Sequence, residues 1–437
     1  MKVFNLRQTI SIAIICMLLT SVISYVAFSG GSSQNIYLDD LPASATFTIK
    51  TDDTNFWAVR DDGKQLWYST NASYVFESVY GELTSGGSVF VTFADYTLTK
   101  EILPASNTFT FSDGATLIRS AGAGTTYLMR IEDKENVTIN QLTLRYADNT
   151  QGTHRLLRIK NSNNIKVQDV ELQNSSAYML SLIGNCNNIH IERCDFTGVQ
   201  DTAGTNNIGV WADNGKAPTD VWVSNCYFYT RGAIWIDTGA RSLSLRWHVN
   251  FNTAINVTGD VFGVYSAHQS EIIGNTILWN RDTNIMNGID IQNASGTTIS
   301  SNTLKRYAND TTPANPNVGI FVGHGALDSV VDANTVFNCT TGIILYGASN
   351  SSVTDNIIWE CSSNGININD DGTYNADQNL LEGNHVRDCD YGIYEQSTAD
   401  YNMIVGCYAL GCTTINISVS GANTECHICF NGTSWIS

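Results

Sequence analysis

Charge and proline are both scarce in this sequence. Of its 437 residues only 15% are charged, and 23 Lys and Arg face 41 Asp and Glu, for a formal net charge of −18. Such a chain is a poor partner for nucleic acid and does not bind an acidic surface by simple charge attraction. No Gly-rich phosphate loop occurs, and no His and Cys cluster at zinc spacing. The one "CHIC", at 426–429, is half a zinc motif without its other half. Only 5 prolines stand against 35 glycines, with Asn, Ser and Thr abundant.

What the sequence does have is a phrase that returns. "NTVFNC…GIIL" begins at Asn334 and comes back 22 residues later, at Asn356, as "NIIWEC…GINI". "NHVRDC" with "YGIYEQ" follows from Asn384, and "CYALGC" with "TINIS" from Cys407. Upstream, Asn302 leads to "VGIFV" and Asn275 to "NGIDI", while Cys226 and Cys194 take the Asn slot earlier still. About ten copies at a period of about 22 to 32 residues, with short alternating apolar runs and no helical spacing, predict a solenoid of β coils. Each copy holds three strand segments: Gly-Ile-x-apolar, a run before the Asn, and a shorter run after it. Asn suits that turn because it tolerates left-handed backbone angles, and its amide can bond to the same Asn one rung above.

Three-strand coils with Asn ladders resemble the right-handed parallel β-helix of the pectate-lyase-like superfamily. The resemblance covers roughly residues 80 to 437, and the stretch 86–118 is similar to the usual entry coil. It implies an all-β, single-stranded right-handed parallel β-helix over 86–437. In the region 37–85 before it, "ASYVFESVYGEL" (72–83) has apolar residues at helical spacing and is expected to cap the open end. The superfamily includes lyases, hydrolases, epimerases, adhesins and inert modules, so the fold leaves the activity open.

Between Arg7 and Asp39 there is no charge, and Ile10 to Phe28 is a mostly apolar run of 19 residues, enough to cross a bilayer as a helix. Residues 1–29 are therefore a cleaved signal peptide or a retained N-terminal membrane anchor, and 30–36 a linker. Both readings export the solenoid, because Lys2 and Arg7 hold the N-terminal side in the cytoplasm. Ten Asn-x-Ser/Thr sequons, at Asn71, Asn136, Asn174, Asn256, Asn293, Asn309, Asn338, Asn350, Asn416 and Asn431, fit an extracellular or cell-surface protein. Ten cysteines lie outside the apolar run, and Cys339, Cys361, Cys389 and Cys412 share one slot in successive coils. Rungs about 4.8 Å apart admit disulfides there, and a stack of buried free thiols fits the same slot.

Within the Gly-Ile segment the alternate positions point outward. Coil after coil they read Arg158 and Lys160, Ser181 and Ile183, Trp211 and Asp213, Trp235 and Asp237, Tyr265, Asp290 and Gln292, then Phe321. Solvent-facing aromatics imply a contact, and sugar rings offer apolar faces for one. Three long segments, 197–207, 277–287 and 305–318, border the same coils and are expected to frame a groove. Trp211, Trp235, Tyr265, Phe321 and His324 are the candidate substrate-binding residues.

The candidate catalytic residues are Asp213, Asp237, Asp290 and Arg231. Paired carboxylates supply the acid and the nucleophile or base of glycoside hydrolysis. "NIMNGIDI" (284–291) resembles the polygalacturonase motif, with Asn287 where that motif has Asp. Similarity to pectate lyases implies instead Asp213 and Asp237 as ligands of a calcium ion and Arg231 or Arg241 as base, with His268 and His324 assisting. Calcium is the one cofactor this reading admits. The function expected is an exported protein that cleaves or binds a polysaccharide. The alternative is a non-catalytic glycan-binding, adhesive or structural surface solenoid.

Overall fold

In the computed structural model the described residues are 45–120, 127–147, 155–175, 177–198, 208–212, 218–237, 244–257, 259–279, 287–306, 317–396, 398–427, 429–430 and 435–436. The repeat folds into three mostly parallel sheets, to which each coil contributes in turn. Glu135–Asn140 belongs to the first sheet, Thr143–Tyr146 to the second and Arg155–Lys160 to the third; Asn163–Gln168, Glu171–Gln173 and Tyr178–Ile183 then repeat the circuit. Pairing is in register from rung to rung: Ile165 lies between Val137 and Ile189, Leu172 between Leu144 and Phe196, and Ile234 between Val210 and Phe262. Because strand side chains alternate, like residues stack inside, and these nine are all fully buried. The third sheet, made of the Gly-Ile segments, has 12 strands.

The expected helix spans Ala72–Glu82, with the Asn71 side chain accepting the Ser73 N–H at 3.0 Å as its N-cap. Its buried face, Val75, Phe76, Val79 and Tyr80, packs on the strands Phe47–Thr51, Phe56–Arg60, Gln65–Ser69 and Asp95–Leu98. Strand structure precedes residue 86, since Phe47–Thr51 pairs in parallel with Gly87–Val91 and antiparallel with Phe56–Arg60. The apolar run at 10–28 and the linker lie outside the described residues. Among the described residues, no helix is long and apolar enough to cross a membrane.

The Asn slot sits at the corner between the first and second sheets and forms one continuous ladder. Side-chain amides donate from Asn252 to Asn275 at 3.0 Å, Asn275 to Asn302 at 2.9 Å, Asn302 to Asn334 at 2.9 Å, Asn334 to Asn356 at 3.0 Å and Asn356 to Asn384 at 2.9 Å. Each amide also donates backward to a first-sheet carbonyl, as Asn334 does to Ile299 at 2.9 Å, and each Oδ1 accepts the backbone N–H of the slot before it. Where cysteine replaces Asn, the thiol reaches the equivalent carbonyl: Cys194 to Val167 at 3.5 Å, Cys226 to Ile191 at 3.5 Å, Cys407 to Leu381 at 3.6 Å. All ten described cysteines are free thiols, so of the two arrangements open to the Cys stack the structure has the unpaired one.

One reason given for Asn at this corner needs correction. The left-handed residue is the one before the slot, namely Phe251, Gly274, Ser301, Ala333, Asp355 and Gly383, at φ between 51° and 67°. Left-handed Asn does occur, in a second ladder on the solvent side: Asn107, Asn136, Asn164 and Asn188, at φ 54° to 58°, joined by amide bonds of 2.7, 3.0 and 2.8 Å. Backbone tolerance thus selects the exposed ladder and amide valence the buried one. The recurring glycine has a steric cause. A Cβ on Gly342 would lie 2.5 Å from the Gly365 carbonyl oxygen and 2.5 Å from the Ile358 side chain.

The two ladders give a contrast in stability. Asn334→Ala orphans the Ile299 carbonyl and two donors of Asn302, all buried, and should cost about 3 kcal/mol in denaturant unfolding. Asn136→Ala, whose partners Asn107 and Asn164 are water-accessible, should cost only about 1 kcal/mol, mostly from the left-handed angle that Asn tolerates better than Ala. Equal effects would remove the ladder's structural role.

Candidate functional site

The outer face of the third sheet carries two parallel rows of side chains. One runs Trp211, Trp235, Gly263, Asp290, Phe321, Ile344, each in register with the next. The other runs Asp237, Tyr265, Gln292, Gly323, Tyr346. Asp237 and Asp290 are two strands apart as expected, but on different rows. The side chain of Asp237, and Asp213 and Arg241 entirely, lie outside the described residues. So does most of each of the three long segments expected to frame a groove.

Aromatic contacts run along this face. Trp211 stacks on Tyr178 with ring centroids 4.0 Å apart and planes 7° from parallel, and Trp235 meets Tyr265 at 5.8 Å. Phe321 packs against His324 at 5.5 Å and Tyr346 at 6.1 Å, and His324 Nδ1 is 3.0 Å from Asp371 Oδ2. His268 does not share the face. It belongs to a short strand of the first sheet, with Nδ1 3.0 Å from the Ser295 hydroxyl, and burial lowers its pKa.

Asp290 differs from expectation in exposure. Strand alternation predicts an outward Asp290, yet the residue is only 2% exposed, because Tyr265, Asn287 and Gln292 close over it. Its Oδ2 accepts the Tyr265 hydroxyl at 3.0 Å and the Asn287 amide at 2.9 Å, and its Oδ1 the Gln292 amide at 3.0 Å. Burial pushes its pKa up, and these donors oppose the shift.

The carboxylate beside it is Asp260, which the strand pattern missed. Asp260 lies in the turn entering Phe262–Tyr265, where outward alternation says nothing. Its Oδ1 accepts the Asn287 backbone N–H at 2.7 Å, and its Oδ2 is 3.4 Å from the Tyr265 hydroxyl. Burial first, then the charge of Asp290, raises its pKa to about 6, while the nearby charge of Arg231 pulls the other way. The Tyr265 hydroxyl between the two carboxylates is held protonated by burial. Gly263 makes room for the ring: a Cβ there would meet it at 3.2 Å. The structure therefore brings together Asp260, Tyr265, Asp290, Asn287 and Arg231, between Trp235 and Phe321. Among the described residues no three His, Cys, Asp or Glu side chains converge as metal ligands.

Comparison with known proteins agrees on the fold. The family described as "Right handed beta helix region" matches residues 262–431. Fold, repeat and match agree on a right-handed parallel β-helix repeat protein. Among solved structures it is similar to the N-terminal fragment of gene product 12 of bacteriophage Phi29, at 14% identity and a TM-score of 0.55 over 78% of this chain and 64% of that one. It is also similar to PfbA, a surface adhesin of Streptococcus pneumoniae, at 14% identity and a TM-score of 0.51 over 77% of this chain and 85% of that one. No curated protein matches it.

The Asp260 carboxyl should leave a signature in stability. The unfolded chain gives up this proton near the ordinary 3.8 and the folded chain only near 6, so the group costs stability as pH rises through that interval. Asp260→Asn should match the wild type at pH 4 and exceed it by on the order of 2 kcal/mol at pH 7 in denaturant unfolding. A constant difference between the two pH values would mean an ordinary carboxyl.

Proposed function

We propose that this chain is an exported, polysaccharide-active β-helix that binds a glycan along the outer face of its third sheet and cleaves it with Asp260 and Asp290. The observation that carries the reading is the pair of carboxylates meeting at the Tyr265 hydroxyl on the face that presents Trp211, Trp235 and Phe321. Trp211 and Trp235 at successive rungs, with Phe321 three rungs on, suit the apolar faces of sugars along one chain. A carboxyl titrating near 6 is protonated often enough at mildly acidic pH to give its proton to a leaving glycosidic oxygen, which is the role of Asp260. Asp290 is the partner carboxylate, held by three donors, and Tyr265 positions both. Arg231 adds positive charge beside Asp260. The strand that ends at Asp237 lies next to that of Tyr265, and the helix Ala72–Glu82 covers the first coils as a cap.

A binding-only role on the same face is the second reading, favoured by the closure of Tyr265, Asn287 and Gln292 over Asp290. An adhesin among the structures of like fold shows that such a helix can serve adhesion in another protein. Export follows from the apolar N-terminal run, whether kept as an anchor or removed.

A panel of neutral and acidic polysaccharides separates these readings. A reducing end without ultraviolet absorbance marks hydrolysis, and an unsaturated end marks elimination. Turnover should fall as pH rises above about 6, and Asp260→Asn should lower it by about 100-fold with binding retained. Binding that Trp235→Ala abolishes, without product from any polymer, would leave the adhesive reading. Neither product nor binding would sink both.

A further inference from the structure

A second aromatic row lies on a different wall. On the second sheet Lys305, Phe337, Trp359 and Arg387 are in register on four successive coils, three rungs or about 14 Å from end to end. The two rings meet at 5.4 Å. The Lys305 ammonium stands 5.0 Å from the Phe337 centroid, and the Arg387 guanidinium 5.2 Å from that of Trp359. Both cations are exposed, and neither has a carboxylate partner among the described residues. Next to this row, Ile357, His385 and Tyr408 are in register, with His385 and Tyr408 stacked at 5.6 Å. Ile357, His385, Val386, Arg387, Tyr408 and Leu410 line a cleft of about 270 Å³. Ile357 is 46% and Leu410 38% exposed, an apolar floor left open to water.

We propose that this cleft and row form a second binding site, for a saccharide that carries carboxylate or sulfate groups. Aromatic faces and open aliphatic side chains take the C–H faces of a sugar. Hydroxyls and acid groups need donors at the rim, and Arg387 and His385 stand there. In a chain of net charge −18, two cations bracketing two rings, with no carboxylate partner among the described residues, form a local positive row. Such a row selects for an anion, and the attraction weakens with salt. The guanidinium over Trp359 is already oriented, so less side-chain entropy is lost on binding. The site is independent of the third-sheet reading: it lies on another face and shares no residue with it.

The test uses the full chain with three polymers: polygalacturonate, dextran sulfate and neutral dextran, with affinity measured by calorimetry at low and high salt. At least one polyanion should bind, more weakly at high salt. Trp359→Ala and the double variant Lys305→Gln/Arg387→Gln should each weaken that binding by about tenfold. Lys64→Gln, which removes an exposed cation in the turn before Gln65–Ser69, should leave it unchanged. Because Lys305 and Arg387 are exposed, the double variant keeps the fold and reports on charge alone. The polymer that binds separates carboxylate from sulfate. Polyanion binding unaffected by the double variant, neutral dextran bound as tightly as the anions, or no binding of either polyanion would each overturn the proposal. Polyanion binding weakened in Lys305→Gln/Arg387→Gln with cleavage retained would show the two faces acting separately.

Discussion

A buried side-chain amide with every valence filled is the constraint on which the other features of this solenoid depend. Each Asn of the ladder takes a carbonyl from the coil before it and an acceptor from the coil after it, and accepts two N–H groups in return. Such a corner tolerates no slip: moving one coil by one residue would strand several polar groups in a dry interior, each at about 1–3 kcal/mol. The ladder therefore fixes the register of the first and second sheets. The third sheet inherits it, because its strands are covalently the next segment of the same coils. In the third sheet Gly209, Gly319, Gly342, Gly365 and Gly392 meet a second demand of the same spacing, since the neighbouring coil's carbonyl fills the place of their Cβ.

Register held this tightly has a chemical consequence. Side chains far apart in sequence become fixed neighbours at strand spacing, so a flat wall can hold rows of similar groups without a deep pocket. Trp211 and Trp235, 24 residues apart, are rung neighbours on one wall, and Phe337 and Trp359 are rung neighbours on another. The same rigidity holds Asp290 beneath three donors and forces Asp260 against it, and burial then moves both carboxyls upward. Repetition thus creates an electrostatically unusual place at a rung where the row of large side chains is interrupted, at Gly263.

Much of the wall was readable because strand alternation is a strict period of two. The Asn and Cys slots, the Gly-Ile strands and the outward placement of Trp211, Trp235 and Phe321 follow from that period and the repeat. Asp260 was not readable, because it sits in a turn where no period operates. Its importance comes from Asn287 and Asp290, one coil on. Asp290 was placed on the correct strand and face, but its burial depends on Tyr265 folding across Gly263, a packing event that no alternation rule encodes. The two Asn ladders show the same limit. Residue type marks a turn, but whether the Asn serves by its backbone angle or by its amide depends on which side of the wall the turn faces.

By itself the sequence determined the coil, its period, the three strand columns and the acidic character of the chain. These are local properties, set by side-chain alternation, turn residues and composition. Only the tertiary structure decided which carboxylates meet, which aromatics share a rung and which cations stand beside them. Those outcomes depend on the lateral stacking of coils that are 22 to 32 residues apart along the chain, and on the exclusion of water once they stack.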